Sequence, residues 1–271
     1  MQSWVKNLYI EQSGPETAPP VLVLHGWGSN AGLMRPIVTA LQDRYRVFNV
    51  DLPGHGQTPL PPAPWGVPEH AALVQALIEQ EIGQSVHIVG HSNGGRISLY
   101  MASRPQSASL IRTLSLISPS GVTPKRSAKY YFKRGIASTL KAPFKVLPGR
   151  LKAYGNDWLR HSLIWRMLGS SDYSQLQGVM REVFVKTVNC HLDDDLARIA
   201  APTLLFRGSE DTAISQYQMD VLVDRIQGSE LVTLDGAAHY GHLDQPQIVT
   251  GGIRHFLGLH TPDAALSTNG G

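Results

Sequence analysis

Short, continuous apolar runs alternate along the chain with longer stretches in which apolar residues recur every three or four positions. Continuous runs of this length are typical of strands buried on both faces of a parallel sheet. They lie at residues 21–24, 46–50, 86–89, 114–117 and 203–206, with weaker candidates at 7–12 and 231–234. Helical spacing covers residues 68–81, 93–103, 215–226 and 247–257. The alternation predicts an α/β fold with right-handed crossovers, a mostly parallel sheet and helices on both faces.

Residues 120–199 interrupt this alternation. They contain no buried-strand run, so we predict a core of residues 1–119 and 200–271 and a mostly helical cap of residues 120–199. No acidic residue lies between Glu81 and Asp157, whereas Lys and Arg concentrate in 125–152. The simplest interpretation of this basic cap is a solvated helix face. The alternatives are a docking surface for an acidic partner or attraction to an anionic membrane surface.

Composition narrows the classes of protein to consider. The 271 residues carry a net charge of +3, which is too small to indicate nucleic-acid binding. The single cysteine, Cys190, excludes an internal disulfide framework and a metal site made of several cysteines. No window approaches the ~18 consecutive apolar residues of a membrane-spanning helix, and residues 1–6 lack the apolar core of a signal peptide. We expect a globular, cytoplasmic protein without a transmembrane segment.

The strongest chemical signal is GHSNGG at residues 90–95, between a predicted strand and a predicted helix. A strand that turns abruptly into a helix needs glycines, because the backbone is crowded there. Such a turn lifts the Ser92 hydroxyl above the sheet edge, at a helix N-terminus that favours developing negative charge. Ser92 is therefore the candidate nucleophile. The alternative is a glycine-rich turn with an incidental serine.

A second glycine-rich turn, HGWG at residues 25–28, follows another buried strand. It is suited to aim a backbone N–H at the space above Ser92. The N–H groups of Trp27 and of Asn93, the residue after the nucleophile, are the candidate donors to a tetrahedral oxyanion. We expect His25 to orient its loop by hydrogen bonding and not to transfer protons. The residues assigned to support the two turns are His25, Gly26, Gly28 and His91.

A serine nucleophile needs a base, and the base needs a partner for its other ring nitrogen. His239 is the candidate base, because it follows a strand run and three small residues that let a loop approach the nucleophile; His242 competes for the role. Asp211, just past the strand at 203–206, is the candidate acid, with Glu210 as the alternative. The H-x-x-H spacing of the two histidines also suits a metal, but no third ligand stands at a recognisable spacing.

In combination these motifs resemble the α/β-hydrolase family, which shares an HGxG oxyanion turn and a GxSxGG nucleophile elbow. Residues 51–58, DLPGHGQT, are similar to its D-x-P-G-x-G-x-S segment. Residues 202–211 match its strand leading to the catalytic acid. Residues 236–246 resemble its histidine loop, usually G-x-G-H-x-x-x-x-E-x-P, and this alignment favours His239 over His242.

The chain departs from the family pattern at three positions, none of which removes a catalytic group. Threonine stands in the serine position at Thr58, alanine replaces a common glycine at Ala238, and aspartate replaces a common glutamate at Asp244. Residues 22–30 are also similar to the esterases of biotin synthesis that cleave a methyl ester held on an acidic acyl carrier protein. A basic cap would suit a substrate that is held on an acidic carrier protein.

The resemblance implies a serine hydrolase of the carboxylic-ester type, since family members that break carbon–halogen bonds or open epoxides carry aspartate at the elbow. His239 would deprotonate Ser92, and an acyl-enzyme would form and be hydrolysed without a metal or other cofactor. We expect a small ester or acyl substrate, with an anionic or a carrier-linked one among the candidates. The alternatives with the same triad are C–C bond hydrolysis, whose enzymes tend to carry GNSxGG at the elbow, and perhydrolysis. A receptor that binds without turnover is a further alternative.

Overall fold

The computed structural model describes residues 1–125 and 178–261. The chain divides into two units, Met1–Pro124 with Val185–Gly271 and Lys125–Phe184, and the first unit carries every candidate site residue. The proposed cap, residues 120–199, falls for the most part outside the described residues. The same holds for its lysines and arginines between 126 and 152, so the basic cap remains a prediction.

Seven strands form one sheet in the described part of the chain. They are β1 (Ile10–Ser13), β2 (Pro20–Leu24), β3 (Arg46–Val50), β4 (Val86–His91), β5 (Ile111–Ile117), β6 (Thr203–Gly208) and β7 (Glu230–Leu234). Their order across the sheet is β1-β3-β2-β4-β5-β6-β7. β1 pairs antiparallel with β3 at one edge, and every other pair is parallel. The predicted α/β fold with a mostly parallel sheet is confirmed.

Helices follow the strands as crossovers. They are α1 (Arg35–Leu41), α2 (Val67–Leu77), α3 (Asn93–Ala102), α4 (Pro105–Ala108), α5 (Gly178–Val188), α6 (Gln216–Arg225), α7 (Gly241–Asp244) and α8 (Pro246–Leu259). Short 3-10 turns cover Gln2–Asn7, Ala31–Met34 and Leu196–Arg198, and a π turn covers Ile78–Ile82. Within the described ranges, no helix has the length and apolar character needed to cross a membrane.

The core lies on both faces of the sheet, as the continuous apolar runs predict. In β2, Val21 and Val23 pack in one cluster while Leu22 and Leu24 pack in the other, because successive strand side chains point to opposite faces. The first cluster is completed by residues of α1 and α8, and the second by residues of α2, α3 and α6. Burial on both faces explains why β2 has no polar residue.

The sequence-based prediction differs from the structure at the N-terminus. Residues 7–12 are predicted to form a strand, but Gln2–Asn7 is a 3-10 turn and the strand begins only at Ile10. The cause is tertiary packing: Val5 is buried, and the Trp4 ring meets the Trp65 ring edge-on at 4.9 Å between centroids. The seven-residue helix α1 was not predicted either, because so short a segment carries little periodic signal.

Candidate active site

The sheet order brings the two glycine-rich turns together. β2 and β4 are neighbours, and Leu24 at the end of β2 pairs with Gly90 near the end of β4. The chain places β3 on one side of β2 and β4 on the other, so the strand order reverses at this point. In open parallel sheets, ligands bind at the carboxyl ends of the strands at such a reversal. The turns at residues 25–28 and 90–95 therefore emerge side by side.

The Ser92 backbone has the strained conformation of a nucleophile elbow. Its φ is +49°, a region that non-glycine residues rarely adopt. The conformation is held from both sides: the Ser92 N–H donates to the Ile117 carbonyl at 3.0 Å, and its carbonyl accepts from the Ser120 N–H at 3.0 Å. The start of α3 packs so closely that a Cβ on Gly94 would lie 2.2 Å from the Leu24 carbonyl oxygen.

The HGWG turn lies directly against the elbow. A Cβ on Gly26 would lie 3.1 Å from Ser92 Cβ and 2.7 Å from His91 Nδ1, so only glycine fits there without displacement. Gly28 adopts φ +69°, which allows the turn to reverse. Asn93 is the first residue of α3, where a backbone N–H has no partner within the helix. These positions support Trp27 and Asn93 as oxyanion donors.

His25 is fixed by two hydrogen bonds of opposite polarity. Its Nε2 accepts from the Leu52 N–H at 2.9 Å, and its Nδ1 donates to the Gly26 carbonyl at 2.7 Å. The side chain is fully buried, and this burial lowers the pKa of His25 to about 4. A neutral imidazole with both nitrogens engaged supports the expectation that His25 orients the turn.

The register of the last strands brings an acid to a histidine. β6 and β7 pair up to Gly208 and Leu234, so the loops that follow them begin together. His239 Nδ1 donates to Asp211 Oδ2 at 2.9 Å. This bond leaves Nε2 with the lone pair that a general base needs. The Asp211 side chain is completely buried, whereas that of His239 is 22% exposed.

The Asp211 carboxylate is held in its charged form. Burial alone raises its pKa, but hydrogen bonds from His239 and from the Ile214 N–H outweigh burial and bring the pKa to about 2. Asp211 Oδ1 accepts from the N–H groups of Ala213 and Ile214 at 2.8 and 2.9 Å. The alternative acid, Glu210, is exposed. The geometry therefore favours Asp211.

The alternative base, His242, is fully buried, and this burial lowers its pKa to about 4. Its ring packs against His91 at 4.9 Å between centroids, so it acts as part of the wall behind the site. Within the ranges that the structure describes, no group of three His, Cys, Asp or Glu residues is placed to hold a metal ion.

Sequence reasoning missed a residue that braces the acid loop. Arg207, at the end of β6, is buried and donates from Nη2 to the Asp211 carbonyl at 3.2 Å and from Nε to the Ile214 carbonyl at 3.0 Å. The available signal is an arginine that directly follows the apolar run of β6. Asp244, which replaces the family's glutamate, accepts from the Ala238 N–H at 2.8 Å and so braces the histidine loop.

The DLPGHGQT segment forms a third brace, under the HGWG turn. Asp51 accepts from the N–H groups of Ala31 and Gln57 at 2.6 and 2.7 Å. Thr58 Oγ1 donates to the Asp51 carbonyl at 2.7 Å and accepts from the Tyr9 N–H at 2.8 Å. Both hydrogen bonds at this position use only the hydroxyl group, so threonine can take the place of the family's serine.

Comparison with known proteins agrees with this geometry. The model of the alpha/beta hydrolase fold family matches residues 19–246, most of the chain. The chain belongs to this family. A pimeloyl-[acyl-carrier protein] methyl ester esterase of Aeromonas hydrophila is 29% identical, over 93% of this chain and 100% of that protein. The enzyme of the same name from Neisseria meningitidis is 26% identical, over 91% of this chain and 95% of its own length.

Solved structures are similar in fold. An esterase from Exiguobacterium antarcticum superposes with a TM-score of 0.69 at 21% identity, covering 93% of this hydrolase and 95% of that chain. This likeness supports the fold alone, because the identity is low. The family match and the esterase relatives agree with the predicted enzyme class, a carboxylic ester hydrolase.

In this hydrolase, the His91 side chain connects the turn at Ser92 to the loop of His239. The residue before Ser92 donates from Nε2 to the His239 carbonyl at 3.0 Å, and the two rings lie 4.8 Å apart. Burial is the main cause of a His91 pKa well below the ordinary value, so the ring is neutral. Since a carbonyl only accepts, the single ring proton of His91 is on Nε2. The His91 side chain thus links the His239 backbone to the residue directly before Ser92.

We expect this tie to affect turnover more than binding. His91→Met removes the donor, whereas His91→Gln places an amide N–H near the position of Nε2. The methionine variant should lose about tenfold or more in kcat at a similar KM, because small displacements of a catalytic group are costly, and the glutamine variant should lose less. Separate kcat and KM values, with thermal unfolding of each variant, test this. Equal kcat in both variants, with only the unfolding temperature changed, would show that His91 merely packs.

Proposed function

We propose that this protein hydrolyses carboxylic esters through a Ser92–His239–Asp211 triad. His239 Nε2 would take the Ser92 proton as Oγ attacks the ester carbonyl, and the Trp27 and Asn93 N–H groups would stabilise the oxyanion. Collapse of this intermediate expels the alcohol with a proton from His239 and leaves an acyl-enzyme. A water, deprotonated by His239, then attacks the acyl-enzyme and releases the acid.

The single observation that carries this proposal is the hydrogen bond from His239 Nδ1 to the buried, charged Asp211. It fixes the tautomer of His239 and leaves Nε2 as a base. The elbow of Ser92 and the close approach of Gly26 support the remaining roles. Two relatives named as methyl ester esterases support an ester as substrate, and a carrier-linked ester is our proposal for its finer identity. A cytoplasmic location is also proposed.

Hydrolysis of a p-nitrophenyl ester series from acetyl to palmitoyl tests the function. We expect turnover with an optimum at one chain length, because the depth of the acyl pocket limits how much of the acyl chain is buried. A methyl ester on acyl carrier protein belongs in the same panel as the carrier-linked candidate. Turnover of a ring-fission diketone without turnover of any ester would instead favour C–C hydrolysis. Tight binding without turnover would favour a receptor.

A further inference from the structure

A serine at the end of β5 shares the unusual backbone conformation of the candidate nucleophile. Ser118 has a φ of +45° and Ser92 a φ of +49°, and within the described ranges these are the only non-glycine residues with a positive φ. Glycine adopts such a φ without steric cost, whereas other residues are strained in it. Since serine stands where glycine would be free of strain, we expect its side chain to contribute something that glycine cannot.

Ser118 lies between the nucleophile elbow and the acid loop. It follows Ile117, whose carbonyl accepts the Ser92 N–H at 3.0 Å. Its own N–H donates to the Phe206 carbonyl in β6 at 2.8 Å. Asp211 stands three residues beyond the end of β6. The end of β5 therefore supports the elbow on one side and the strand that leads to the acid on the other.

The Ser118 hydroxyl faces the carboxylate of Asp211. Burial raises the pKa of this carboxyl, but hydrogen bonds from His239, Ile214 and Ser118 bring the pKa to about 2. Ser118 is fully buried, and its Oγ has no hydrogen bond of standard length and angle to any atom in the described part of the chain. The contact with Asp211 is therefore loose, and no other described group competes for the hydroxyl.

One position on the carboxylate is open to this hydroxyl. A carboxylate offers about four acceptor sites, two on each oxygen. Asp211 Oδ1 accepts from the N–H groups of Ala213 and Ile214, which fill its two sites. Oδ2 accepts from His239 Nδ1 and keeps one site. The open site is thus on the oxygen that faces the base.

We propose that the Ser118 hydroxyl donates to Asp211 Oδ2 and holds this oxygen in place for His239 Nδ1. Ser118 is then a positioning residue, because it acts on the base only through the acid. The inference rests on the proposed triad and adds a fourth member to it. The donated hydrogen bond also takes up part of the negative charge of the carboxylate, so it weakens the attraction between Asp211 and a protonated His239.

Proton NMR of the hydrogen on His239 Nδ1 tests this without any substrate. A proton between an imidazole and a carboxylate resonates far downfield, and loss of the signal in Asp211→Asn identifies it. The signal shifts when the ring takes up its second proton at lower pH. In Ser118→Gly and Ser118→Ala the midpoint of this shift should move to higher pH by about half a pH unit, because the carboxylate then stabilises the protonated ring more strongly.

Turnover should change together with this midpoint. In both Ser118 variants kcat should fall by about three- to tenfold at a similar KM, the usual effect of one hydrogen bond. Ser118→Gly adopts the positive φ without strain, so it keeps the test intact if Ser118→Ala folds poorly. The surrounding charged and titratable groups are unchanged in these variants; they are His91, Arg207, Glu210, Tyr240, His242 and Asp244.

Ser115→Ala is the matched control. Ser115 lies on the same strand, two residues before its end, and is also fully buried with an Oγ that lacks a hydrogen-bond partner in the described part of the chain. Its midpoint and kcat should match those of the wild type. An unchanged midpoint in Ser118→Gly would overturn the proposal, and a loss of kcat without a change in midpoint would show a merely structural role. An equal shift in Ser115→Ala would overturn it as well.

The NMR midpoint also separates this inference from the proposed function. A shifted midpoint in Ser118→Gly, in a protein that hydrolyses no ester, would support the role of Ser118 and contradict the ester hydrolysis. Ester turnover with the same midpoint in wild type and Ser118→Gly would support the hydrolysis and contradict the role of Ser118.

Discussion

Replacing Ser92 with alanine is expected to lower kcat on the best ester of the p-nitrophenyl series by about 10⁴- to 10⁶-fold. The substitution removes the only atom that forms the acyl-enzyme, while the turns around it keep their backbone hydrogen bonds. KM should change little, because the ester pocket and the proposed oxyanion donors remain. The residual rate, which these donors and binding alone supply, should still exceed the uncatalysed rate.

Ser98→Ala is the matched control for this substitution. Ser98 lies on α3, the helix that begins directly after Ser92; it is fully buried and donates from Oγ to the Gly94 carbonyl at 2.7 Å. Its kcat should stay within a few-fold of the wild type, since the lost bond is local. A Ser92→Ala enzyme that keeps more than a tenth of the wild-type kcat would place the nucleophile elsewhere. C–C hydrolysis and perhydrolysis predict the same loss, so the substrate panel has to separate them from ester cleavage.

The sheet was predictable because its strands are buried on both faces. Residues such as Val23 and Ile88 are fully buried within short, mainly apolar runs, so these runs are visible without any alignment. The candidate triad was predictable for another reason. Ser92 and His239 follow strand ends and have small residues beside them, as expected where backbone segments approach closely. A Cβ added at Gly26 or at Gly94 would lie too close to atoms of a neighbouring segment.

Other features depended on contacts between residues far apart in the sequence. Nothing local to Gln2–Asn7 shows that Trp4 packs on Trp65. The two histidines of H-x-x-H were separable only by alignment, because burial of His242 is a tertiary property.

The hydrogen bonds of Asp211 predict how its replacement by asparagine would change His239. In Asp211→Asn, the side-chain oxygen should stay with the N–H groups of Ala213 and Ile214, which donate to Asp211 Oδ1. The new amide NH₂ then faces His239 Nδ1, where the carboxylate accepts a proton in the wild type. An NH₂ only donates, so Nδ1 must accept and the ring proton moves to Nε2. His239 is then held in the tautomer whose Nε2 already carries a proton, so Nε2 cannot accept the proton of Ser92.

We expect kcat of Asp211→Asn to fall by about 10³- to 10⁴-fold at neutral pH. The adjacent Glu210→Gln is the matched control: its side chain is exposed, and its N–H bonds the Ala237 carbonyl whichever side chain is present. That variant should stay within twofold of the wild type. The pKa of Asp211 is about 2 in the folded protein, below the ordinary 3.8. Its charge thus stabilises the fold above pH ~4, and this contribution is lost as the pH falls toward 2.

The pH profile of kcat provides a further test of the role of Asp211. Because the pKa of Asp211 is about 2, Asp211 is charged throughout an assay between pH 5 and 9, and its own protonation does not shape the profile in that range. Asp211→Asn should therefore lower the whole plateau of the profile at neutral pH, with a thermal unfolding temperature near that of the wild type. A large loss in Glu210→Gln together with a small loss in Asp211→Asn would reverse the assignment. Loss of both activity and folding in Asp211→Asn would instead be resolved by Asp211→Glu, which keeps the charge and should retain more activity than the asparagine variant.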